Sequence, residues 1–148
     1  MVHRVVTSVG HSSREQVPRS TVQIDLRRVV VRTGPHNVVG TFTTYNLLKP
    51  RWLKPPACGQ VGLGFQEQHL TVLSSSRRGD PVAAETAVSQ DQVQVRFVDA
   101  HTIRLTVPLA ALGSDYTAAA PWIGFAGGYA CPPLAQSEDD TGVVTPQA

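Results

Sequence analysis

Apolar and polar residues alternate with a period of two along most of this chain, most plainly over residues 93–113. Val93, Val95 and Phe97 alternate with Gln94 and Arg96, and beyond a polar turn Ile103, Leu105 and Val107 alternate with Arg104 and Thr106. Such alternation predicts two half-buried antiparallel strands whose inward residues build a core. The same grammar recurs upstream. An alternation starting at Thr21 runs through Leu26 and resumes at Val29 and Val31, and this jump in phase predicts a bulge. Residues 33–37 have turn composition, and the β-branched and aromatic run 38–45 completes a hairpin. Val61, Leu63 and Phe65, then Leu70 and Val72, predict a further hairpin, and residues 122–130 a last strand with Trp122, Gly124, Ala126 and Gly128 on one face.

The interruptions are equally informative. Residues 46–59 carry Pro50, Pro55 and Pro56, which exclude a central strand and predict a long ordered loop. Leu109 and Leu112 followed by Gly113 suit one helical turn closed by glycine. Residues 83–88 fit either a weak edge strand or a helical turn. The expected organisation is a flexible leader over 1–20, a domain over 21–133 and a C-terminal tail over 134–148, with Val143 and Val144 able to pair at an edge. About eight short strands separated by turns pack as an all-β antiparallel sandwich, jelly-roll or Ig-like, with little helix.

At 148 residues the chain is long enough for one domain with a real core. Charged residues make up only 16%, a sparse usage that suits exported proteins and virion shells. The net charge of +2 conceals an asymmetry. Residues 1–60 hold nine Lys/Arg against two acids, a net +7; residues 61–148 hold four against nine, a net −5. Strands from the two halves share sheets, so the expected outcome is blended, solvated faces. If the charges stay apart instead, an acidic partner or a head-to-tail assembly follows. No run of 18 apolar residues exists to span a membrane as a helix, and residues 1–20 lack the apolar stretch of a secretory signal.

Cys58 and Cys131, 73 positions apart, fit no metal-binding spacing. Both neighbour prolines and so fall in loops. Either they close a disulfide, which the loop length makes stabilising by about 4 kcal/mol in the chain-entropy account, or they stay as two thiols. No nucleophile elbow is present, and Asp25, Glu67, Glu85 and Asp99, the acids nearest strands, form no evident pair. His36, His69 and His101 lie in turns as solvated residues, with a metal site the alternative only if those turns cluster. Glu138, Asp139 and Asp140 read as a solvated charge run, with calcium as the alternative. No catalytic residue, metal or cofactor is assigned. The best binding candidate is the basic loop at 45–54, where Tyr45 and Trp52 stand among Lys49, Arg51 and Lys54. Aromatic rings with cationic neighbours suit stacking on a sugar ring or a base, or anchoring a protein partner; the alternative is that Trp52 plugs the end of the sandwich while the basic residues reach out.

With the strands laid out, residues 25–31 and 38–42, the run 99–109 with Leu112-Gly113, the Trp122 strand and the Asp139-Asp140-Thr141-Gly142 segment together resemble DOMON-like and family-9-type carbohydrate-binding β-sandwiches. That resemblance implies an exported or cell-surface module that binds ligand without catalysis. The function expected is thus a non-catalytic binding module taking carbohydrate or a protein partner through its end loops, with no membrane span. Nucleic acid is not expected. The alternative is a structural or assembling protein such as a phage head or tail component, located in a virion; a small enzyme on a β scaffold comes third.

Overall fold

The computed structural model describes residues 5–14, 24–53, 59–65, 67, 70–74, 86–87, 92–128 and 137–146. The strands are β1 (Val6–His11), β2 (Leu26–Thr33), β3 (Asn37–Thr44), β4 (Gly59–Phe65), β5 (Leu70–Leu73), β6 (Thr86–Ala87), β7 (Gln94–Asp99), β8 (Thr102–Pro108), β9 (Trp122–Gly128) and β10 (Ser137–Val144). They build two five-stranded sheets, ordered β1-β2-β3-β8-β7 and β10-β9-β4-β5-β6. Every pairing is antiparallel except the two-residue pairing of β6 with β5. The all-β sandwich expected from the alternation is the architecture found.

Its core lies between the sheets. Val29, Val31, Val38, Phe42, Ile103, Leu105 and Val107 point in from the first sheet, and Val61, Leu63, Phe65, Val72, Trp122 and Ala126 from the second. The faces interlock closely: a Cβ added at Gly124 would stand 2.8 Å from Val29 Cγ2, so only glycine lets β9 approach β2 this far. The phase jump in β2 is a bulge between Leu26 and Arg28. The helical turn is α1 (Leu109–Leu112), ended by Gly113 at φ +88°. At the edge, β7 departs from expectation. Val93 is buried and Phe97 half-buried, but Val95 is 38% exposed, because an outermost strand has neighbours on one side only.

The leader and tail need correcting. Within 1–20, β1 pairs along its length with β2; within 134–148, β10 pairs with β9. The two then meet and close one side of the sandwich. Trp122 Nε1 donates to Ser8 Oγ at 2.8 Å, and Gly10 lies so close to Val144 and Thr141 that a Cβ there would clash. Asp139 is the tie at this corner rather than part of a solvated run. It accepts hydrogen bonds from the Leu26 backbone N–H at 2.7 Å, the Ser12 hydroxyl at 2.9 Å and the Asp140 N–H at 2.9 Å.

Candidate functional site

The basic loop folds inward. Pro50 opens a short 3-10 turn, Pro50–Trp52, where its fixed φ and missing N–H cost nothing. Leu48 and Trp52 therefore turn into the core while Lys49 and Arg51 face water. Trp52 is only 5% exposed. Backbone bonds from Leu48 N–H to Ala100 O at 2.8 Å and from Trp52 N–H to Lys49 O at 3.0 Å hold the turn against the β7–β8 hairpin. Tyr45 is half-buried, its hydroxyl donating to Ser12 O at 3.2 Å and its ring carrying the Arg27 guanidinium 5.9 Å from the centroid. No stacking platform results: Trp52 is the end plug, and Tyr45 is engaged within the fold. Lys54, Cys58 and Cys131 lie outside the described residues.

The histidines do not gather. His36 precedes β3 beside α1, where its carbonyl accepts the Leu109 N–H at 2.9 Å; His101 sits at the other end of β8 with its ring Nδ1 3.2 Å from Thr44 O. His69 is outside the described residues, and among those described no cluster of three metal-ligating side chains occurs. Asp25 is buried, and its carbonyl accepts the Tyr45 N–H at 2.9 Å. Asp99 closes the β7–β8 turn by accepting the His101 N–H at 2.8 Å, a bond that holds its carboxyl below the usual carboxylate range.

The feature the strands do assemble is the outer face of the first sheet. Register sets it out in three rows. Thr7, Arg32, Val39, Thr106 and Gln94 form one; Val9, Val30, Thr41, Arg104 and Arg96 the next; His11, Arg28, Thr43, Thr102 and Asp99 the third. Each alternates with an inward partner, so all share one face. Four arginines stand here. Arg28, Arg32 and Arg96 are exposed and Arg104 half-exposed, and among the described residues no carboxylate pairs with any of them. No Phe, Tyr or Trp occurs in the rows; threonines fill the ground between the charges. At the rim, Arg32, Gly34, Pro35, His36, Asn37 and Val39 line a shallow hollow of about 170 Å³. The second sheet differs: on its outer face Gln60, Gly62 and Leu73 are buried.

Arg96 and Arg104 are direct cross-strand partners. Their Cβ atoms in such a pair stand about 4.5–5.5 Å apart, and like charges so placed are destabilising. The sequence carries the signal for these residues in parity, since Arg96 lies between Val95 and Phe97 and Arg104 between Ile103 and Leu105. Their convergence needs the register.

Compared with known proteins, the chain matches no family model, no curated protein and no solved structure.

Proposed function

We propose that the protein is a non-catalytic β-sandwich binding module of an exported or cell-surface protein, and that it holds an acidic carbohydrate on the open face of its first sheet. The observation that carries this reading is the set of four arginines that no carboxylate among the described residues pairs with, two of them directly opposed, on a face where Asp99 at one corner is the only acid in the three rows and threonine, valine, glutamine and His11 make up the rest. A face with four positive charges against the single carboxylate of Asp99 attracts a polyanion over a distance set by ionic strength. Hydroxyl-bearing side chains between the charges match a ligand rich in hydroxyls. With no Phe, Tyr or Trp in the rows, and His11 at the β1 edge as their one ring, neutral sugars or unpaired bases find little to stack on there. The ligand surface is therefore the sheet face, in place of the end loops.

Chromatography on immobilised dextran sulfate tests this reading. The protein should be retained at low salt and released as salt rises, while neutral dextran retains nothing. Replacing Arg28, Arg32, Arg96 and Arg104 by Gln should abolish retention; undiminished retention of that variant would overturn the proposal. The exported setting includes a Cys58–Cys131 disulfide, checked by thiol labelling of denatured, unreduced protein, which should find no free thiol.

One observation favours the assembly reading as second choice. Glu138 and Asp140 lie on the outer side of the second sheet, paired with Gly127 and Phe125, away from the arginine face. Copies could stack face to face, a heterologous contact that propagates. Light scattering showing a monomer at high concentration would remove that alternative.

A further inference from the structure

We propose that Arg96 and Arg104 act together as a clamp for a monoester oxyanion, sulfate or phosphate, borne on the ligand polysaccharide, and so select such chains over those carrying only carboxylates. This rests on the reading of the first sheet's outer face as the ligand surface, and it adds the chemistry that the face distinguishes.

Two guanidinium groups rooted on adjacent strands at one register position extend from the same face. Each presents a planar fork of donors that takes two oxygens of an oxyanion. A carboxylate has two oxygens in one plane, so one fork engages both and a second must share them. The phosphodiester of a nucleic acid likewise leaves two oxygens free. A sulfate or phosphate monoester presents three terminal oxygens on a tetrahedral centre, so a second fork can reach the same group from the other side. Its negative charge also relieves the repulsion between the two arginines, which no carboxylate among the described residues does. Thr41, next in the row beside Arg104, places a hydroxyl-bearing side chain alongside. Arg28 and Arg32 stand on β2, two strands away from β8, and hold the chain elsewhere by charge alone.

Calorimetric titration of the whole protein with four polyanions at one ionic strength tests the clamp: dextran sulfate, phosphorylated dextran, polygalacturonate and duplex DNA. The two dextran esters should bind about tenfold tighter than polygalacturonate and DNA, the difference made by about one charge-assisted hydrogen bond. Arg96→Gln and Arg104→Gln should each remove that preference, and the double variant should lose little more than either single one, the mark of coupled partners. Arg96→Lys, which keeps the charge and loses the fork, should remove the preference as well. Arg28→Gln with Arg32→Gln should weaken all four polymers alike and leave the preference intact. Equal binding of esters and polygalacturonate, or a preference that survives Arg96→Lys, overturns the clamp and leaves the face reading standing. Binding to none of the four overturns the face reading with it. Tightest binding to DNA overturns the clamp and the carbohydrate reading together.

Discussion

Gly124 and Gly64 occupy neighbouring strands under opposite constraints. A Cβ at Gly124 would press on Val29 at 2.8 Å, whereas one at Gly64 meets nothing within 4 Å. Gly124→Ala should therefore destabilise the fold by about 1–3 kcal/mol through overpacking, and Gly64→Ala should stabilise it by up to about 1 kcal/mol through the lost freedom of glycine in the unfolded chain; urea denaturation measures both. Trp52→Ala, which empties an end of the core, should cost about 3–5 kcal/mol while leaving polyanion binding unchanged. Tyr116 gives a pH signature. Its ring packs edge-on against Phe65 with centroids 5.2 Å apart, and its hydroxyl lies 2.7 Å from Thr33 Oγ1. Burial pushes the phenol above its ordinary value, and the Thr33 hydrogen bond offsets part of the rise. Folding thus favours the protonated form. The stability this provides is whole below about pH 10 and is lost as pH climbs through the raised value; absorbance titration should show one tyrosine ionising late, and Thr33→Val should push it later still. Residue-scale readings from sequence succeed where burial and parity agree, as at Ile103 and Leu105. They leave Trp52 open between platform and end plug, because aromatic and basic neighbours spell the same letters whether the ring faces water or core. Only the Pro50-led turn decides which way Trp52 faces.

The strands that were legible are those whose inward positions are large and apolar. Through β8 every second residue is a buried Ile, Leu or Val, and the eye finds it at once. β1 reads VTSVGH and turns Ser8 and Gly10 inward, one to accept the Trp122 indole N–H, the other to make room for Val144. β10 reads SEDDTGVV, with Asp139 turned toward hydrogen-bond donors and a register shift between Asp140 and Val143. Inward polar and glycine positions erase the alternation, so both elements pass for leader and tail. Asp139 is the test at this scale. Asp139→Ala leaves the Leu26 N–H and Ser12 hydroxyl without their acceptor and should cost about 1–3 kcal/mol, and hydrogen exchange should speed up at Leu26 before it does at β3 or β8.

Across the whole molecule, strand pairing gathers arginines from both halves of the chain on one face. The basic excess of residues 1–60 was legible in composition, but it could equally have been scattered. Two of the four arginines on the face, Arg96 and Arg104, come from the acidic half of the chain, so counting along the sequence could not have placed them there. The pairing of β2 with β3, β3 with β8 and β8 with β7 brings them to one surface while the opposite sheet keeps Glu138 and Asp140. The measurement closest to the central claim is an amide chemical-shift titration with a short dextran sulfate. The account predicts the largest shifts at Arg32, Thr41, Arg96 and Arg104, shrinking as salt is raised, with the loop at Leu47, Lys49 and Arg51 nearly still. Shifts gathered at that loop, or none on the first sheet at saturating ligand, would contradict it.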